Sequence, residues 1–403
     1  MPLIKPNDLN QMRHLFIILI SLLTITNATA QPDTNDLRIS ILTCGDGEQM
    51  YASFGHCAFR VRSQSRHYDR VYNYGMFNYR QKSFYLKFAR GFLDYHVGVS
   101  DFPRFCIEYV RDGREIREQM LNLDNAQRQA LFDYLEWNSL EENRYYRYNF
   151  LEDNCATRIR DIIERTCGTD VKLADIQYNE SFRDMIHSHL TEMPWFRFSV
   201  DLLMGLPVDR KADSRTAMFL PEHVFTTLEK STIVHSGASQ PLVEESRILL
   251  AASAESKADF WTYCSPSMLF WLLFAVLALV TYYEIIKHRH HAWIDRVLLL
   301  VVGLFGLLFV VMWTLTEHTV TAGNLNILWA LPTHIAAAFA VKSTKRFWKK
   351  YFLIAAAITL AVLVLSPILP QQFDVGNYPI MCMLILRLAF LAKKNEKKLT
   401  HFI

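Results

Sequence analysis

The feature that most constrains this chain is the crowding of long apolar runs into its last third. Five candidate spans follow residue 266: Ser267–Ile286, Val297–Thr316, Ile327–Val341, Tyr351–Ser366 and Tyr378–Ala392. The first two and the fourth are long enough to approach a hydrocarbon core of roughly 30 Å, while the third and fifth are short for one. Such segments must satisfy their backbone polar groups internally, so five transmembrane helices are expected over 266–392. Across all 403 residues the mean hydropathy is only +0.06 and the net charge +3, although 51% of residues are apolar. The average therefore combines an apolar end with a polar, aromatic-rich globular part. It excludes a disordered chain and a strongly basic nucleic-acid binder.

The loops between spans orient the chain. Lys287, Arg289 and Arg296 follow the first span, Lys342, Lys345, Arg346, Lys349 and Lys350 the third, and Lys393, Lys394, Lys397 and Lys398 the fifth. The loops Glu317–Asn326 and Pro367–Asn377 contain no lysine or arginine. The basic loops are expected in the cytoplasm and the others outside, with residues 31–265 forming an exported domain and 393–403 a basic cytoplasmic tail. An independent signal agrees. Met12-Arg13-His14, the apolar run Leu15–Leu23 and Ala28-Thr29-Ala30 have the layout of a secretory signal over residues 1–30, with an uncleaved anchor as the alternative. An inner-membrane, multi-pass protein with a periplasmic domain follows from these two signals.

Within the exported domain, Leu37–Leu42, Cys57–Arg62, Arg70–Tyr74, Arg114–Leu123 and Tyr145–Phe150 read as strands. Asp101–Arg111 and Ala126–Asn138 read as helices, the second capped by Asp124. A further helix begins near Asn154, repeats apolar residues at Ile159, Ile162 and Ile163, and stops at Gly168. Mixed order of this kind predicts an α+β domain. Residues 170–265 suggest several short helices and then a polar loop near Ser236–Ser246.

Cys155 falls in the first turn of the Asn154 helix. A thiol there faces the positive end of the helix dipole and backbone N–H groups that stabilise a thiolate and can hold an oxyanion. A buried apolar role or a disulfide is the alternative, but a bond to Cys167 on the same helix would have to span about 18 Å. A nucleophilic cysteine needs a base, and His56, opening a predicted strand, is the candidate, with His67 and His96 as competitors. Asn73, or a tyrosine such as Tyr74 beside it, is placed to orient the imidazole. The seven cysteines show no CxxC pair and no metal-ligand spacing, so neither a metal nor a cofactor is expected. In the membrane part, Glu317, His318, Asn324 and Asn326 are polar groups at the external face, where they would bind a lipid headgroup or dock the exported domain.

Several linked motifs resemble the Lnb family of Bacteroidota. They are Thr43-Cys44-Gly45, Ser53-Phe54-Gly55-His56, Tyr72-Asn73-Tyr74-Gly75-Met76-Phe77, and Tyr148-Asn149-Phe150 through Asp153-Asn154-Cys155-Ala156-Thr157-Arg158. Thr316-Glu317-His318 and Asn324-Leu325-Asn326-Ile327-Leu328-Trp329 extend the resemblance into the membrane part. It implies a circularly permuted papain-like (NlpC-type) periplasmic domain joined to a five-span membrane domain, with His56 preceding Cys155. It also implies lipoprotein N-acylation, with a membrane phospholipid as acyl donor and a diacylated lipoprotein as acceptor, and Tyr74, Glu317, His318, Asn324 and Asn326 near the substrates. Gly45-Asp46-Gly47 departs from the family's usual Pro-Gly after Thr-Cys. Two other functions use the same residues or none of them: a papain-like peptidase or amidase of the envelope, and a non-enzymatic binding module.

Overall fold

The computed structural model describes residues 36–78, 80, 83–92, 94–253 and 263–393. The expected leader and the tail from residue 394 lie outside them. Within the described residues the exported part is built on a seven-stranded antiparallel sheet in the order β10-β5-β1-β2-β3-β4-β6. Its strands are β1 (Arg38–Cys44), β2 (His56–Ser63), β3 (Tyr68–Met76), β4 (Asp94–Asp101), β5 (Ile116–Leu121), β6 (Tyr145–Arg147) and β10 (Val243–Leu250). A smaller sheet pairs β7 (Val171–Lys172), β8 (Thr232–His235) and β9 (Ala238–Pro241). The domain is α+β, as expected.

One face of the large sheet packs Ile39, Phe59, Tyr72 and Tyr74 against Leu131 and Leu135 of helix Asn125–Ser139 and Ile159 and Ile163 of helix Cys155–Cys167. The opposite face is covered by helix Phe102–Arg111 through Phe105 and Tyr109. Asp124 caps its helix as predicted, accepting from the Gln127 N–H. Two readings need correction. The loop expected over Ser236–Ser246 contains β9 and the start of β10, and β10 forms the sheet's edge beside β5. Strand β4 joins β3 to β6 and was not anticipated.

In the membrane part, three helices among the described residues are long and apolar enough to cross a bilayer: Pro266–Ile286, Ala292–Thr314 and the segment Arg346–Ile368. A fourth, Asn377–Lys393, covers the fifth expected span. The third expected span is not one helix. It comprises a 3₁₀ turn at Leu325–Leu328, irregular backbone through Pro332 and a six-residue helix, His334–Phe339. Non-helical backbone is tolerated at membrane depth only where protein covers it. Here Trp329 and Ala330 are buried, and a Cβ on Gly306 of the second helix would sit 1.8 Å from the Ala330 carbonyl oxygen. Only glycine permits that approach.

The two parts share a continuous joint. Phe198 and Leu202 of helix Pro194–Leu203 belong to the apolar core of the membrane helices, and Phe198 and Trp195 both meet Phe270. Beneath them Arg183 is 1% exposed and bridges Asp201 and Asp209 at 2.5 and 2.8 Å.

Candidate functional site

The thiol is positioned by an unusually complete helix cap. The Asn154 side chain accepts from the N–H groups of Ala156 and Thr157 at 2.8 and 2.9 Å and donates to the carbonyls of Phe150 and Phe219 at 2.7 and 2.9 Å. Thr157 returns the bond to the Asn154 N–H at 2.8 Å. Asn154 thus fixes the helix start against two separate loops, and Cys155 follows as the first helical residue. Arg158 and Asp153 brace the same turn through two bonds of 2.5 and 2.6 Å.

His56 opens β2 opposite Cys44 of β1, so an internal strand pair holds its backbone. Its Nε2 lies 2.5 Å from the Asn73 Oδ1, and the imidazole is hydrogen-bonded to the Cys155 thiol. With Nε2 engaged by Asn73, Nδ1 is the nitrogen left for sulfur. Asn73 lies where the pairing of β3 with β4 slips between Asn73 and Met76, an irregularity of the kind that re-aims side chains beside active sites. Gly75, with φ +91°, passes over the pair: a Cβ there would lie 3.6 Å from the Cys155 Cβ and 3.9 Å from the His56 Cε1. The three sequence candidates for chemistry are therefore together.

Their electrostatics favour the charged pair. Burial opposes a thiolate at Cys155. The imidazolium charge and hydrogen bond outweigh it, helped by the N–H groups of Cys57 and Ala156, and the thiol pKa is held below its ordinary value. Burial likewise opposes a charged His56, and the neighbouring sulfur and the Asn73 carbonyl oxygen outweigh it, raising the imidazole. Both residues remain partly exposed, so solutes can reach them. Cys44 is different. It is 1% exposed, and burial pushes its thiol up to about 12, which disfavours a thiolate there. All seven cysteines are free thiols.

Other expectations change. The Asn154 oxygen accepts from the N–H groups of Ala156 and Thr157, and Ala156 shares its N–H with the Cys155 sulfur, so the Cys155 N–H is the first-turn donor left for an oxyanion. Tyr74 points into the core and donates its hydroxyl to Asn138 at 2.7 Å, so Asn73 alone of that pair reaches the imidazole. The competitor His96 on β4 lies beside Tyr145, with ring centres 5.8 Å apart, and His67 sits in the turn before β3. The Gly45-Asp46-Gly47 loop is held by Arg114, whose Nε and an Nη donate to the Gly45 carbonyl at 2.9 and 2.8 Å.

The membrane-part candidates lie in the joint. Glu317 donates its N–H to the Arg90 carbonyl at 2.9 Å and pairs with Arg147 at 3.5 Å. His318 donates Nε2–H to the Phe88 carbonyl at 3.0 Å, and the Asn149 amide donates to Thr319 at 3.2 Å. The loop after the second membrane helix thus grips helix Phe84–Arg90 and the segment that leads into Cys155. Asn324 and Asn326 are buried. The first donates to the Leu202 carbonyl at 2.7 Å, and the second accepts from the Trp329 indole at 3.0 Å. Asn324 thus docks helix Pro194–Leu203, while the Asn326 oxygen ties the membrane part's own backbone turn to Trp329.

Sequence reasoning missed one cluster. Arg387 donates to Asp295 at 2.7 and 2.9 Å, to Glu284 at 2.6 Å and to Thr281 at 2.8 Å, tying three membrane helices together. Each of these ionisable residues stands inside or beside an apolar run, and that was the available signal.

Residues 25–189 match the family model of the Lnb N-terminal periplasmic domain, and residues 255–398 match that of the Lnb transmembrane domain. Neither a described relative nor a solved structure matches the chain. The stretch between the two matched regions contains helix Pro194–Leu203, which packs into the membrane core. Two domain models matched in order over most of the sequence place this chain in the Lnb family.

Proposed function

We propose that this protein is a membrane-bound lipoprotein N-acyltransferase that works through a Cys155 thioester. The observation that carries the reading is the Cys155–His56–Asn73 arrangement at a helix start whose flanking segment is clasped by the membrane loop Glu317–Thr319. The Cys155 thiolate attacks the ester carbonyl of a membrane glycerophospholipid. The Cys155 N–H faces the developing oxyanion, and the His56 imidazolium protonates the departing alkoxide as lysophospholipid. The α-amine of a diacylglyceryl-cysteine lipoprotein then attacks the thioester, gives its proton to His56 and expels the thiolate. Asn73 keeps the imidazole turned toward sulfur throughout. The arrangement of basic loops supports an inner-membrane protein with its thiol domain in the periplasm and its C-terminus in the cytoplasm.

The test uses the full-length protein with a phospholipid as the sole acyl source. Mass spectrometry should find one acyl chain on Cys155, removable by hydroxylamine, and transfer to a synthetic diacylated lipopeptide should consume it. Cys155→Ala should abolish both. A wild-type enzyme that releases free fatty acid at the same rate with and without lipopeptide is a hydrolase, and the proposal fails.

A further inference from the structure

Helix Phe84–Arg90 buries none of its residues, yet it is rich in large apolar side chains: Tyr85 is 84% exposed, Leu86 62% and Phe88 52%. Exposed apolar groups gathered on one short element mark an interaction site. Their arrangement is ordered. Tyr148 stacks on Tyr95 with ring centres 4.3 Å apart, Tyr95 meets Phe77 at 5.3 Å, Phe77 stacks on Phe84 at 5.9 Å, and Phe84 on Phe88 at 6.0 Å. Phe88 then meets His318 at 6.5 Å.

The two ends of this row identify its occupant. At one end, Tyr95, Tyr148 and Cys155 pack on the same core, and Phe77 lies two residues beyond Gly75, the residue that crosses the thiol. At the other end, His318 follows the C-terminus of the apolar helix Ala292–Thr314 and thus marks the membrane surface. We infer that the aromatic row from Tyr148 to His318 is a track for one acyl chain of a bilayer phospholipid, which it guides from the membrane surface to Cys155. A ring row suits a flexible chain because it offers apolar area at each step without fixing the chain's length. This inference rests on the proposed acyl transfer for its purpose, but binding along the track needs no reaction.

The experiment therefore uses full-length Cys155→Ala in nanodiscs of phosphatidylethanolamine and phosphatidylglycerol. The discs are doped with a phospholipid carrying a diazirine at the end of one acyl chain. After photolysis, peptide mapping should place crosslinks on Phe77, Phe84 and Phe88 as well as on the membrane helices. Adding Phe88→Asp should lower the labelling of Phe77 and Phe84 by about tenfold, the effect of losing roughly 1.4 kcal/mol of apolar contact, while Phe88→Leu should retain most of it. Labelling confined to the membrane helices, or equal labelling in the Phe88→Asp protein, overturns the track. A labelled track in a protein whose wild type forms no thioester leaves the track standing and removes the acyltransferase reading. Thioester formation without track labelling does the reverse.

Discussion

Two polar centres in this molecule look alike in composition and differ in what their groups are free to do. In the membrane part, Arg387 meets Glu284 and Asp295 in a cluster where all three are 1% exposed or less and the arginine's donors are answered by oxygen. In the exported part, each of His56 and Cys155 favours the other's charged form, but both retain exposed surface, and Gly75, which crosses them, carries no side chain to cover them. A saturated buried cluster fixes geometry and has nothing left to offer a substrate. A partly exposed thiol with a neighbour that can give or take a proton can do chemistry. The difference lies in access rather than in charge.

The sharpest way to break this comparison is to remove the base. His56→Ala should reduce acyl transfer by roughly 10³–10⁴-fold or more, since the thiol loses both the group that ionises it and the acid that protonates the leaving group. The thermal midpoint of the full chain in detergent should change little. Arg387→Met should show the opposite pattern. Taking one partner from a buried ion cluster costs about 3–5 kcal/mol, because two buried carboxylates lose their arginine and keep only His290 and His291 beside them. The midpoint should fall steeply, with activity per folded molecule preserved. Replacing Glu284 and Asp295 by Gln and Asn in the same protein should restore much of the loss. Loss of activity in folded Arg387→Met would mean that the cluster takes part in catalysis.

A smaller effect separates orientation from chemistry. Asn73→Ala should lower the rate by about 10- to 100-fold, because the imidazole remains but is no longer held toward sulfur. It should also move the pH profile in a defined direction. The active pair forms as pH rises through the lowered thiol pKa of Cys155 and is lost as pH rises through the raised imidazole pKa of His56. The Asn73 bond raises that imidazole value, so its removal should shift the alkaline limb to lower pH and narrow the window. An unchanged alkaline limb would assign Asn73 to packing alone.

How much of this was legible beforehand depends on the kind of signal. The positions of His56 and Cys155 were readable because strand and helix starts have local signatures, and Asn154 is itself a cap residue. Strand β10 was not, since Glu244, Glu245, Ser246 and Arg247 lack the alternation of a half-buried strand; it is a charged edge. The third span was misread as a helix because apolar composition does not reveal that Pro332 and the glycines of a neighbouring helix permit irregular backbone there. The Arg387 cluster escaped for a related reason. Its partners come from three helices, and one-dimensional spacing carries no record of which faces meet.

The smallest change tests whether the joint is only a joint. Thr319→Val keeps the side chain's shape and removes the oxygen that accepts from the Asn149 amide at 3.2 Å. That bond lies at the surface, where water replaces the lost partner, so its removal should cost no more than about 0.5–1 kcal/mol. The thermal midpoint should move by only a few degrees or less. Asn149 also accepts from the N–H groups of Leu151 and Glu152 and pairs with Asp153 through backbone bonds of 2.9 and 3.0 Å, so the turn before Cys155 has its own support. Transfer from phospholipid should accordingly fall by no more than about fivefold, in line with that energy. A tenfold loss of transfer with an unmoved midpoint would say that the membrane loop sets the geometry of the thiol. The joint would then belong with the accessible centre, and saturation of its hydrogen bonds would no longer distinguish scaffolding from chemistry in this protein.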